Sequence, residues 1–410
     1  MLEGLLAASH LMPLERLPTV VGEHAAAAGF PEVLIYVGDV QRNALRLLTG
    51  RGEDAGQAAK GEEAELKIEG TLPGRAYQYI QVLPDTSPGG AGENRWWVPL
   101  LDGTERLGVL RVTAAEGGTR TRQDMVALAS LIALILVSKR VHSDSFARLT
   151  RTEPMNIAAE MQWQLMPPRT YADGRVVISA AMEPTYQISG DAFDYSTAGP
   201  IVHLSIFDAM GHDTAAGLTA NLAMATCRSA RRRGAGLVEI TERIEEALVE
   251  QYGQTRYATG ILADLDTQTG ILTWVNRGHQ PPVIIRGGRW TSDLHCRPAH
   301  PMGTCLGLVT TVCHEQLEPG DRIVLYTDGI TEARRPGDAE FGLKRFTDFL
   351  IRHHADGLPV PETLRRVVHA VLEYHDGRLE DDATVLFCEW LGPNPDTTGE
   401  AAELTGLTPP

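Results

Sequence analysis

The sequence is short of cysteine, of positive charge and of long apolar runs, and each shortage removes a class of protein. Five cysteines in 410 residues are an odd number without a Cys-x-x-Cys pair, which argues against a zinc ribbon or a disulfide framework. The longest largely apolar run, residues 125–137, is 13 residues, well short of the roughly 20 that span a bilayer. No Lys or Arg precedes Arg16, and Glu3 sits where a secretory signal would be positive. A cytoplasmic protein is expected. There are 37 Lys and Arg against 53 Asp and Glu, a net charge of −16. The deficit is uneven: residues 1–140 carry 14 basic and 17 acidic side chains, residues 151–410 carry 22 and 35. An acidic second half is unsuited to a phosphate backbone, so a nucleic-acid partner is not expected.

With 43% hydrophobic and 22% charged residues, the chain otherwise has an ordinary globular composition, and its length suits two domains and a connector. Residues 10–143 read as the first domain. A helix is expected over 11–28, strands over 32–37 and 44–48 about the polar turn 39–43, and a Gly- and Ala-rich loop over 51–63. Strands 96–101 and 107–112 flank the turn Asp102-Gly103, and Asp124 opens a helix ending near Lys139 and Arg140. The hairpin "WWVPLLDGTERLGVLRV" followed by the helix "QDMVALASLIALILVSKR" resembles a GAF domain, a small sensory module. That part has no cysteine, which excludes a thioether-linked pigment. Its closing helix is apolar on nearly every side, which suggests a homodimer.

Residues 144–170 read as a connector, with a helix from Pro154 to Leu165 stopped by Pro167-Pro168. Its apolar stripe Ile157, Met161 and Leu165 could pack on its own catalytic domain or seal a dimer. The tail, 393–410, is rich in Pro, Thr, Gly and Glu and is expected to be disordered.

Residues 171–392 carry the chemistry. Strand-like runs at 176–182, 201–207, 261–265, 271–275, 283–285, 323–326 and 384–387 alternate with turns, notably 266–270 and Gly287-Gly288. Helices are expected at 214–232 and 237–251. Overall this is an α+β chain: an antiparallel sheet with helices, then stacked sheets flanked by helices. "ISGDAFDY" puts Asp191 and Asp194 beyond a strand, "LSIFDAMGHD" ends one in Asp208, "RIVLYTDGITEA" ends one in Asp328, and "LEDDATVLF" puts Asp381 and Asp382 before one. Single aspartates at such places are commonly turn formers or caps. Carboxylates converging from several strand ends repel one another, and divalent cations resolve the conflict. All-oxygen ligands favour Mg²⁺ or Mn²⁺, and two such ions would lower the pKa of a bridging water and clamp a phosphoryl group.

Eight words in order, "QWQLMPP", "ISGDAFDY", "FDAMGHDTAAGL", "TGILADLDTQTGILTWVNRGHQPP", "PMGTCLG", "LEPGDRIVLYTDGITEA", "FGLKRF" and "DDAT", resemble the PPM-type (type-2C) serine/threonine protein phosphatases, and among them the SpoIIE-like branch. The resemblance implies a PPM-type sandwich and two Mn²⁺ or Mg²⁺ ions held by Asp191, Asp208, Asp328 and Asp381, with the carbonyl of Ala209 assisting and Asp208 as bridge. Asp194 and Asp382 are candidates for supporting those ligands. It also implies a phosphorylated protein substrate, a STAS-domain anti-anti-sigma factor. Two departures stand out: Asp213 follows Gly211-His212 where the family often has Gly, and Ala209 replaces a common Gly or Val. Asp213 is better read as a helix cap, and His212 and His279 as hydrogen-bonded turn residues. The competing function is a phosphatase-like module that docks a partner without catalysis; retention of all four acids favours the enzyme.

Overall fold

Alternating apolar runs become strands, and the glycine turns between them become hairpins, in the computed structural model of the chain. It describes residues 1–50, 64–85, 94–187, 190–333, 340–355, 357–375, 379, 381–394 and 399–407, so the loop expected over 51–63 lies outside the described residues. The chain divides into two units, Met1–Pro154 with Gly406–Pro410, and Met155–Thr405.

The first unit is a six-stranded antiparallel sheet in the order β3-β2-β1-β6-β5-β4. Its strands are β1 Glu32–Gly38, β2 Ala44–Leu47, β3 Glu65–Lys67, β4 Leu83–Pro84, β5 Asn94–Asp102 and β6 Glu105–Ala114. The helices are α1 Leu2–Ser9, α2 Leu17–Ala26, α3 Leu72–Tyr79, α4 Thr119–Arg140 and α5 Asp144–Thr150. The single helix expected from Leu11 is interrupted: Leu14–Arg16 is one 3-10 turn after Pro13, and Pro18 sits in the first turn of α2. α4 starts before Asp124 and is, by length and composition, apolar enough to cross a membrane. Here Met125, Leu128, Ile132 and Leu136 are fully buried in the core of the unit. Val126, Leu134 and Val141 stay exposed.

The second unit stacks two antiparallel sheets about a shared core. One has the order β15-β12-β11-β10-β9, the other β14-β13-β16-β17-β8-β7. The strands are β7 Thr170–Ala172, β8 Val176–Glu183, β9 Asp191–Ala198, β10 Ile201–Ala209, β11 Ala258–Asp266, β12 Ile271–Arg277, β13 Val283–Arg286, β14 Trp290–Asp293, β15 Val312–Gln316, β16 Asp321–Tyr326 and β17 Ala383–Trp390. Helices α6 Ile157–Leu165, α7 Thr214–Arg231 and α8 Leu237–Tyr252 pack with the first sheet; α9 Asp328–Thr331, α10 Gly342–Ala355, α11 Val360–Tyr374 and α12 Glu400–Thr405 belong with the second.

Four expectations are corrected, and the facing of the connector helix, left open above, is resolved for its own unit. Asp191 and Asp194 lie in a strand, not beyond one, because pairing of β9 with β10 outweighs the poor strand propensity of Asp. The connector helix begins after Asn156, whose side chain caps it, and not at Pro154. It packs by its other face: Ala158, Ala159 and Gln162 are fully buried, whereas Ile157 is 68% exposed and Leu165 37%. The small alanines let α6 lie close on α7, so the apolar stripe is turned away from its own unit. Part of the tail expected to be disordered is the helix α12, whose Ala401 and Leu404 pack against the second-sheet core. Finally, Cys296 and Cys313 form a disulfide, a pairing their spacing did not single out.

Candidate metal centre

β9 and β10 run antiparallel with Asp191 directly opposite Asp208, so two carboxylates are brought together by strand register alone. β16 and β17 are neighbours in the other sheet, and Asp328 follows the first while Asp381 precedes the second. Two glycines let these segments close. A Cβ on Gly190 would lie 2.8 Å from the Ala209 carbonyl oxygen, and one on Gly329 only 2.1 Å from the Asp382 carbonyl oxygen. Both positions need a residue without a side chain.

Among the described residues the electrostatics are those of an acidic cluster whose strongest neighbours are acids. Burial, then the charges of Asp208 and Asp382, push the Asp191 carboxyl well above the usual carboxylate range. Burial followed by Asp328, Asp381 and Asp382 raises Asp208 to about 7. Asp381 is raised by burial and by Asp328, and His212 acts against that rise. Among the described residues the charges acting most strongly on these three acids are thus other carboxylates, with His212 the one cation-capable contributor. Among the described residues no three metal-binding side chains are yet drawn tightly enough to ligate one ion. The acids are buried neighbours rather than a closed shell. The donor set, four carboxylates and a backbone carbonyl, fits a hard divalent cation.

The two supporting candidates separate. Asp382 stays with the cluster: its Oδ2 accepts from the Gly190 amide at 2.7 Å and the Asp191 amide at 3.2 Å. Asp194 does not. Its carboxylate accepts from Arg228 at 2.6 Å and Arg231 at 3.0 Å on α7. His279 is a buried structural residue, as expected: Nε2 donates to the Tyr326 carbonyl at 3.0 Å and Nδ1 lies 2.8 Å from Thr259 Oγ1. Burial pushes its pKa down to about 4, so the ring is neutral. Asp213 caps α7 through the Ala216 amide at 2.8 Å and also pairs with Arg256.

Two residues escaped sequence reading. Thr327, fully buried, donates Oγ1–H to Asp191 Oδ2 at 2.7 Å and accepts from the Thr384 amide at 2.9 Å. Gln162 on α6 donates Nε2–H to the Asp191 carbonyl at 2.7 Å. The signal for Gln162 was a polar residue on the helix face that Ala158 and Ala159 bury. A cavity of about 280 Å³ lies beside the acids, lined by Asp328, Gly329, Glu332, Ala333, His375, Leu379 and Asp381.

Residues 200–391 match the family model described as Stage II sporulation protein E (SpoIIE). The phosphoserine phosphatase RsbU of Bacillus subtilis is 24% identical over 239 residues, which is 57% of this chain and 68% of that protein. Among solved structures, the RsbU and RsbW domains of Rv1364c from Mycobacterium tuberculosis align at 23% identity and TM-score 0.48, over 56% of this chain and 64% of that one. The SiaA-PP2C domain of Pseudomonas aeruginosa aligns at 21% identity and TM-score 0.49, over 57% of this chain and 94% of that one. The chain thus spans just under two thirds of that solved mycobacterial chain.

Proposed function

We propose, from the match of residues 200–391 to the SpoIIE family model and the likeness to a phosphoserine phosphatase, that this chain hydrolyses phosphoserine or phosphothreonine on a protein. Asp191, Asp208, Asp328 and Asp381, with the Ala209 carbonyl, would hold two Mn²⁺ or Mg²⁺ ions. The observation that carries this reading is the buried, mutually repelling carboxylate cluster at the meeting of the two sheets. Bound there, such ions supply an acidified water and neutralise phosphoryl charge. The chain's own residues fix the geometry. Thr327 holds one oxygen of Asp191, Asp382 clamps the backbone before and at Asp191, and the two glycines allow the close approach.

Control by the first unit, read as a GAF-like sensor, is part of the proposal. Its support is the bond from Gln162 to the Asp191 carbonyl, which ties the connector helix to the strand bearing a ligand. The substrate class the family resemblance favours is a phosphorylated STAS-domain anti-anti-sigma factor in the cytoplasm. The exposed Val126 and Leu134 of α4, with Val141 just after it, support a homodimer through the first unit.

Turnover of p-nitrophenyl phosphate by the full chain tests the reading. Activity is expected with Mn²⁺, lost on chelation and restored on adding Mn²⁺ back. Turnover that survives chelation would sink it.

A further inference from the structure

We propose that the Cys296–Cys313 pair is a reversible thiol–disulfide site, opened by a dithiol reductant, that sets how tightly the metal centre holds its ions. The inference rests on the metal-centre reading above. The bond ties together the outer edges of the two stacked sheets. β15 is the outer strand of the first sheet and β14 the outer strand of the second. Cys313 lies in β15, opposite Trp274 of β12. Cys296 follows β14, and between them the Leu294 amide donates to the Pro282 carbonyl at 2.7 Å, which holds this segment to the start of β13 in the second sheet.

The bond is reachable. A cavity of about 490 Å³ parts these edges, with Trp274, Cys313 and Glu315 on one side and Ile284, Arg286 and Ser292 on the other. A close-packed interior has few voids larger than a water molecule, so here the sheets are held across a gap. Across it run the disulfide and Arg286, which pairs with Glu315 at 3.6 Å and donates to the Gln316 carbonyl at 3.1 Å. Cys313 is half-buried and lines the cavity, whereas Cys296 is 8% exposed. A thiolate of the reductant therefore attacks the Cys313 sulfur, the S–S bond breaks, and Cys296 leaves as a thiolate that takes up a proton. The reductant's second thiolate then displaces Cys313 from the mixed disulfide and departs as its own disulfide. Two electrons and the reductant's two protons pass to the chain, which ends with two thiols. Cys227 and Cys388 stay outside this exchange: both are buried, and burial pushes the Cys227 thiol up to about 12 and raises that of Cys388 as well.

Position gives the bond its consequence. The first sheet carries Asp191 and Asp208, and the second leads into Asp328 and Asp381, so the metal centre needs both sheets at one separation. The segment between the two cysteines is also bonded along the first sheet. The Ala299 amide donates to the Asn276 carbonyl at 2.9 Å, and Met302 exchanges bonds of 2.9 and 2.8 Å with Ala258, the register partner of Ala209. Opening the disulfide loosens the spacing of the sheets and, with it, the chain beside the carbonyl ligand. A reducing compartment leaves static disulfides rare, so one in a chain expected in the cytoplasm is one that turns over.

The test uses the full chain carrying C305S, which removes the exposed thiol and leaves the pair as the reactive cysteines. It is compared as the disulfide, after reduction with millimolar dithiothreitol and its removal by gel filtration, and after reoxidation with glutathione disulfide. Thiol titration of the folded protein should rise from zero to two on reduction and return to zero on reoxidation. Calorimetry should show Mn²⁺ held about fivefold less tightly by the reduced chain, with full affinity restored on reoxidation. Adding C296S/C313S should fix the weaker affinity and make it indifferent to dithiothreitol. A thiol count that stays at zero until the protein is denatured overturns the site, as does a variant that still responds to dithiothreitol. Equal Mn²⁺ affinity in the oxidised and reduced chains overturns the coupling alone. No Mn²⁺ binding in either state overturns the metal-centre reading, and the coupling with it.

Discussion

Asp191 and Asp194 sit three residues apart in one strand, 2% and 1% exposed, and meet opposite fates. Alternation along β9 sends them to opposite faces. Asp194 meets two arginines of α7, at 2.6 and 3.0 Å, and its charge is matched within the protein. Asp191 meets Asp208 and Asp382, and its carboxyl is pushed upward. Burial alone therefore does not mark a functional acid. What marks it is that, among the described residues, the strongest charges on it are other carboxylates, which leaves the countercharge to come from outside.

The sharpest way to break this comparison is to remove each acid in turn. Asp208→Ala or Asp328→Ala should lower kcat/KM for p-nitrophenyl phosphate by about a thousandfold or more, with no loss of melting temperature in metal-free buffer, since a repulsion is relieved. Asp194→Ala should do the reverse. It leaves Arg228 and Arg231 facing each other and should destabilise the second unit by about 3 kcal/mol, while the folded fraction keeps its kcat. Denaturant unfolding and kinetics on the same samples check both.

His279 lies on the matched side of the comparison, a polar group satisfied internally. An unfolded histidine takes up a proton near 6.5, whereas the buried ring resists down to about 4. The unfolded state therefore binds more protons in that window, and stability present above pH 6.5 is lost as pH falls toward 4. Relative to His279→Gln, the wild type should lose up to about 3 kcal/mol between pH 7 and pH 4.

How much of this was legible in the sequence follows the same line. The acids and their glycines were, because Asp328-Gly329 and Gly190-Asp191 are contiguous words, and the hairpin turns were, because glycine at 270, 287 and 288 has positive φ in the structure. β9 was missed because a strand rich in Asp earns its place only from its neighbour β10. The fate of Asp194 depended on Arg228 and Arg231, 34 and 37 residues away on another element, a distance periodicity does not reach. The stripe on α6 was read as apolar with its packing left open, and the face that packs on its own unit, two alanines and a glutamine, carries no apolar periodicity to announce it.

Smaller effects sharpen the picture of how the acids are held. Gly329→Ala forces a Cβ against the Asp382 carbonyl and should cost about 1–3 kcal/mol of stability, with activity falling as Asp328 moves. Gln162→Leu removes the bond to the Asp191 carbonyl and leaves that oxygen buried. About a tenfold fall in kcat is expected, with the melting temperature changed by only a few degrees.

Calorimetric titration of Mn²⁺ into the metal-free full chain, beside Asp208→Ala and Asp194→Ala, tests the central claim most directly. The unmatched cluster predicts two ions bound by the wild type, two by the folded Asp194→Ala protein, and weakened or lost binding in Asp208→Ala. No heat of binding in the wild type, or a wild-type isotherm from Asp208→Ala, would contradict it.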